Sequence, residues 1–293
     1  MTTHSARWIA ALALMLALEC GDAIDASGWA PGAAEAQDPD VVPFRLVNGF
    51  LVVSYGAIDD LAPASLIIDT GTARTVIHAG VADGLAGPRS RRPMRVFGNE
   101  AAAESVLLPS LRIGPVEKRN LDVLVADLQP QERQFGFTPD ALVGLDVLGD
   151  RCITIDYRDE RITFACGGDW SRTVPLDART AYPLVGAIIN GVRFSLMVDS
   201  GSEAIVLFEG AIPPDMRFDV DAEVDATHLT GTIRLKRFSA ERFTLGAHDA
   251  GRPPVFIMSG QGQGLGYDGV LGTRWVPGGR VHLDFQRRLL AWR

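Results

Sequence analysis

The chain has 293 residues, more than an ordinary domain of ~100–200 residues needs, and its 47% hydrophobic and 22% charged content excludes a disordered chain. A formal net charge of −8, with a pI near 5.2, leaves no basic footprint for a nucleic acid. The 31 glycines and 17 prolines favour a turn-rich β protein over a helical bundle, and three cysteines exclude a dense disulfide framework.

At the N-terminus Arg7 precedes an apolar run from Trp8 to Leu18, too short for the ~20 residues that a membrane-spanning helix needs. Ala34-Glu35-Ala36 fits the small-x-small pattern of a secretory cleavage site, with Ala23 and Ala26 as rival cut points. Residues 1–36 are therefore read as a signal peptide, with an uncleaved anchor as the alternative. Glu19 before Cys20 is a poor fit to a lipoprotein site. A periplasmic or secreted chain without stable membrane insertion is expected, carrying a net charge of −5 once those residues are removed.

The remainder is written twice. LIIDTGTARTVI (66–77) is echoed by LMVDSGSEAIVL (196–207), and Ile113-Gly114 by Leu245-Gly246. Val143-Gly144 is echoed by Leu271-Gly272, and ITIDYRDERITF by VHLDFQRRLLAW. Four anchors in the same order define one lobe over 42–166 and another over 182–293. Residues 167–181 between them read as a linker with no period. Runs such as FLVVSYGAI, LDVLV and CITIDY are short, β-branched and bounded by Gly, Asp or Pro. Asn190-Gly191 is a two-residue hairpin turn. The few helix candidates follow the repeated aspartates and Gly144. The fold class is all-β, with two similar, mostly antiparallel lobes.

Cys152 and Cys166 flank the hairpin CITIDYRDERITFAC. A three-residue turn sets them opposite each other, whereas the two-residue turn that aligns the apolar face separates them. Both registers stay open here, and with them a disulfide.

Asp69-Thr70-Gly71-Thr72 and Asp199-Ser200-Gly201-Ser202 each follow apolar residues. A chain leaving a buried strand must turn sharply, which the glycine's backbone freedom permits, and the carboxyl is left partly desolvated. Two such loops meeting about a pseudo-twofold axis bring the carboxyls together. They then share one proton, leaving a base and an acid around a water, which is chemistry for hydrolysing an amide. One chance match to such a motif is expected roughly a few hundredths of a time per chain, so a pair at equivalent repeat positions is informative.

These motifs, with their downstream Leu142-Val143-Gly144 and Val270-Leu271-Gly272, resemble the pepsin-like and retropepsin-like aspartic proteases. The strands around Ile155-Asp156-Tyr157 and Leu283-Asp284-Phe285 resemble the bacterial exported members. The resemblance implies a pepsin-type cleft between the lobes and a catalytic dyad of Asp69 and Asp199. Thr70 and Ser200 would bond across the lobe junction, and Thr72 and Ser202 would bond the outer carboxylate oxygens and hold the pH optimum in the acid range. The apolar-Gly segments would thread behind the aspartate loops. Hairpin flaps are expected around Phe97-Gly98 and Thr230-Gly231, although the first lacks the aromatic tyrosine that such flaps often carry.

An exported monomeric endopeptidase acting on peptide or protein substrates, with no cofactor and no metal, follows from the resemblance. The alternative is a non-catalytic peptide-binding or structural envelope protein on the same fold. Glu203 reads as a solvated turn residue, the Arg89, Arg91 and Arg92 cluster as a solvated loop, and GQGQGLG as a loop beside the second cleft wall. The five histidines show no metal-ligand spacing.

Overall fold

The computed structural model describes residues 10–12, 17–18, 40–96, 99–177, 180–228, 231–259 and 265–293. The cleavage-site region and most of the leader fall outside these; only the short strands Ala10–Leu12 and Ala17–Leu18 are described there.

Each lobe is one large sheet, and the two sheets have the same order. In the first, a hairpin of Ser90–Val96 and Asn99–Ile113 is followed by Val116–Ala126, Val76–His78, Ala141–Val143, Leu61–Ile68 and Phe50–Ile58. In the second, a hairpin of Val220–His228 and Gly231–Ser239 is followed by Pro254–Met258, Ile205–Phe208, Gly269–Gly272, Val192–Asp199 and Leu184–Ile189. The repeat in sequence is thus a repeat in topology. Asn190 and Gly191, at φ 49° and 86°, form the expected turn between Leu184–Ile189 and Val192–Asp199.

Six further strands form a third sheet that neither lobe owns. Its centre is Cys152–Asp156 antiparallel to Arg280–Asp284, with Thr154 opposite His282. Arg161–Thr163 and Val41–Pro43 extend one side, Leu289–Trp292 and Arg172–Pro175 the other. The linker expected over 167–181 therefore contains a strand. Its Val174 is buried and pairs with Leu290, alternating with exposed neighbours.

Three apolar clusters follow this plan. One lies behind the first lobe's sheet, built on residues such as Leu51, Ile68 and Ile153. A second lies behind the second lobe's sheet, on Phe194, Val198 and Trp292. The third crosses between the lobes and joins Phe50 and Phe135 to Phe208 and Tyr267.

After each aspartate loop the chain first re-enters the sheet as Val76–His78 or Ile205–Phe208, and the expected short helices come only after these strands, at Ala79–Asp83 and Glu209–Ala211. These runs are β-branched or aromatic and lie between two neighbouring strands, which outweighs a local helical preference. The segment after Gly144 does form one helical turn, Leu145–Leu148.

The hairpin Cys152–Thr163 adopts the register that aligns Ile155 with Ile162. Even so, Cys152 and Cys166 form a disulfide, with Cα atoms 5.0 Å apart. Pairing stops at Thr163, so Cys166 lies beyond the strand and is released from its alternation.

Candidate active site

The downstream segments do thread behind the aspartate loops. Ala141–Val143 runs parallel to Leu66–Ile68 and antiparallel to Val76–Ile77, and Gly269–Gly272 inserts equivalently beside Leu196–Asp199. The Asp69 N–H donates to the Val143 carbonyl at 3.0 Å, and the Leu145 N–H to Thr72 at 2.8 Å. A Cβ on Gly144 would lie 2.9 Å from the Thr72 carbonyl oxygen, and one on Gly272 2.4 Å from that of Ser202. Only glycine fits there.

Asp69 and Asp199 leave their strands facing each other, both fully buried. Gly71 and Gly201 need no left-handed backbone, contrary to the sequence-based expectation. Their constraint is space: a Cβ on Gly71 would fall 2.4 Å from the Asp199 carboxyl carbon, and one on Gly201 2.6 Å from that of Asp69. Each loop's glycine is the floor on which the opposite carboxyl rests.

Thr70 and Ser200 bond across the junction in matched pairs. Thr70 Oγ1 donates to the Val198 carbonyl at 2.9 Å and accepts the Ser200 N–H at 2.9 Å. Ser200 Oγ donates to the Ile68 carbonyl at 2.8 Å and accepts the Thr70 N–H at 3.0 Å.

Thr72 and Ser202 do not behave as expected. Thr72 Oγ1 donates to the Arg74 carbonyl, and Ser202 Oγ to that of Ala204. Oδ2 of both aspartates is buried without a hydrogen-bond partner. The other oxygen is better served on Asp69, which accepts N–H groups from Gly71 at 2.9 Å and Thr72 at 3.1 Å. Asp199 Oδ1 accepts that of Gly201 at 2.7 Å.

Burial pushes both carboxyls up. Asp69 rises to about 7, with Asp199 and the two N–H groups pulling the other way. Asp199 is also held well above the ordinary carboxylate range, through burial and then the neighbouring Asp69 charge.

Both lobes raise a long hairpin at the same place in the sheet. The tips expected at Phe97, Gly98 and Thr230 lie outside the described residues. Gly231 begins the returning strand opposite His228. Arg91 and Arg92 are on a strand of the first hairpin, not in a loop. Arg89 pairs with Asp83 and Glu104, and Arg92 with Asp122. Residues 260–264 of the glycine-rich stretch are outside the described set.

Sequence reasoning missed several supporting groups. Asp146 accepts the Thr75 N–H and, at 2.7 Å, its hydroxyl, while Thr75 Oγ1 accepts the Gly144 N–H. This ties the first motif to its threading segment. Its only sequence signal was the acid two residues after Gly144, where the second lobe has Arg274. Tyr157 of the first lobe meets Thr273 of the second at 2.6 Å. Tyr267, buried between Tyr182 and Phe208, belongs to the apolar cluster that crosses between the lobes. The titratable cluster of Cys152, His282 and Asp284 is no metal site as it stands, because the Cys152 sulfur is bonded to Cys166.

The family model for aspartyl protease matches residues 54–147 and again 185–275, together more than half of the chain. The chain belongs to the pepsin- and retropepsin-like aspartic protease family. The two matches bracket Asp69 and Asp199 with their threading glycines, so the duplication seen in the sheets is a duplication of the family unit. Among curated proteins none matches. Among solved structures, the chain is similar to an aspartic proteinase from Irpex lacteus, at 14% identity and a TM-score of 0.48. The match covers 86% of this chain and 96% of that one.

Proposed function

We propose that the protein is an exported aspartic endopeptidase in which Asp69 and Asp199 activate a water against a peptide bond. The observation that carries this reading is the pair of buried, facing carboxyls, each resting on the other loop's glycine. One carboxylate of the pair takes the proton of the attacking water, while the other, holding the shared proton, donates to the carbonyl oxygen. The peptide lies extended in the cleft beneath the hairpins, bonded as an added strand. The duplication supplies both halves, so the working unit is a monomer.

An acid optimum was expected from Thr72 and Ser202 bonding the ionised carboxyls. Those hydroxyls serve main-chain carbonyls instead, and desolvation dominates. The lower limb of the rate profile therefore lies well above the ordinary carboxylate range, near neutrality. Both limbs belong to the pair. Export is supported by the charged start and short apolar run, and by a disulfide suited to an oxidising compartment; N-terminal sequencing of the exported protein checks it.

The test is peptide cleavage against pH for the wild type, Asp69→Asn and Asp199→Asn, with binding followed separately. Each variant is expected to lose turnover by about 10²-fold or more while still binding peptide. Near-normal cleavage by either variant would sink the dyad assignment. A wild type that binds without cleaving would leave a peptide-binding protein.

A further inference from the structure

The pseudo-twofold symmetry breaks one residue after the second motif. Thr72 is followed by Ala73, but Ser202 by Glu203. Glu203 is not the solvated turn residue that its sequence context suggests. It is half-buried, and its main-chain carbonyl accepts the Trp275 indole N–H at 2.7 Å. Its side chain crosses to the other lobe and lies over the turn Asn48-Gly49. A Cβ on Gly49 would fall 1.8 Å from Glu203 Cγ, 2.4 Å from Cδ and 2.5 Å from Oε1. Gly49 itself sits at φ 83°, next to Asn48 at φ 45°, joining Arg45–Val47 to Phe50–Ile58. Phe50–Ile58 is the neighbour of Leu61–Ile68, the strand that delivers Asp69.

We propose that Glu203 is a positioning residue, a strut between the lobes that sets how closely the Asp69 and Asp199 carboxyls approach. This rests on the dyad reading above. The Thr70 and Ser200 bonds lie at the pseudo-twofold axis, where they hold the loops together but resist rotation poorly, having almost no lever arm. Glu203 acts away from that axis, on a turn at the edge of the first lobe's sheet, whose outgoing strand Phe50–Ile58 pairs with the strand that delivers Asp69. Ala73 offers no counterpart, so the constraint acts from one side only.

Glu203→Ala removes the strut. Gly49→Ala displaces it while leaving the glutamate in the chain, because the new methyl takes the space of Glu203 Cγ and crowds its carboxyl, and the flexible side chain must swing away. Glu203→Gln keeps length and hydrogen-bonding capacity. A looser approach weakens the coupling between the carboxyls, so the two apparent pKa values of the pair draw together. Glu203→Ala and Gly49→Ala should therefore both narrow the bell-shaped rate profile and lower kcat about tenfold at little change in KM. Glu203→Gln should restore the wild-type profile. Gly49→Ala added to Glu203→Ala should change the profile no further.

Two readouts need no turnover. In denaturant unfolding, Gly49→Ala should shift the folding equilibrium about tenfold less in the Glu203→Ala background than in the wild type, as for residues in contact. NMR titration of 13C-carboxyl-labelled aspartates should show the same narrowing of the dyad's two steps. An inactive wild type that still shows these couplings would refute the endopeptidase and leave the strut. Additive unfolding effects, or a Glu203→Ala variant with an unchanged dyad titration, would overturn the strut whatever the activity.

Discussion

Thr70→Val is the substitution that most directly weighs the lobe junction. Valine keeps the shape of threonine, so no cavity forms; what disappears is the hydroxyl. Thr70 Oγ1 donates to the Val198 carbonyl and accepts the Ser200 N–H, both from the opposite lobe and both buried. Each main-chain group loses that partner in a place with no water to replace it, at about 1–3 kcal/mol per group. The expected destabilisation is thus about 2–6 kcal/mol, a large fraction of the ~5–15 kcal/mol of a typical fold. The measurement is equilibrium unfolding in urea, comparing midpoint and slope. A lower slope or a second transition would mean that the lobes come apart before they unfold. Ser200→Ala, which orphans the Thr70 N–H and the Ile68 carbonyl, should cost a similar amount, and the double variant less than the sum, because the two hydroxyls serve one junction. A loss below about 0.5 kcal/mol for Thr70→Val, at unchanged slope, would refute a buried and water-excluded grip.

Other outcomes follow from the same structure. The dyad's folded pKa values are raised, so its contribution to stability is fully present below the ordinary carboxylate range and is lost as pH rises through about 7 for Asp69. Thermal or urea stability should therefore fall by a few kcal/mol between about pH 4 and 8, and Asp199→Asn should flatten that fall while raising stability at neutral pH. A wild-type profile that is flat over this range would show that the carboxyls are better solvated than their burial implies. Reducing Cys152–Cys166, which closes a separation of 14 residues, should cost about 3 kcal/mol by loop entropy; unfolding with and without a thiol reductant measures it. Tyr157→Phe should cost about 1 kcal/mol through the lost Thr273 contact, seen in the same unfolding assay.

How much of this was legible depended on how far each feature reached along the chain. Short β-branched runs bounded by turn residues and the repeat of four anchors foretold two β-lobes, while the threading glycines and the junction bonds of Thr70 and Ser200 came from the family resemblance of the two motifs. The sheet shared by the lobes was not legible, because Cys152–Asp156 finds its partner in Arg280–Asp284, more than a hundred residues away. No periodicity encodes such a pairing. The strand at Arg172–Pro175 was hidden for the same reason: one buried valine between a threonine and a proline becomes a strand only when Leu289–Trp292 is beside it.

In the site, residue types were readable but the reasons for them were partly inverted. Gly71 and Gly201 were credited with backbone freedom, yet it is the opposing carboxyl that leaves no room for a methyl. Thr72 and Ser202 were matched to carboxylate oxygens by type, but a hydroxyl chooses among all acceptors in reach, and the Arg74 and Ala204 carbonyls were within reach. That choice has a consequence for chemistry. With neither hydroxyl on their buried Oδ2 atoms, both carboxyls are governed by burial, which holds them above the ordinary carboxylate range. The broken symmetry at Glu203 belongs to the same class: an acid in a turn reads as surface until the glycine it covers, 154 positions earlier in the chain, is placed beneath it.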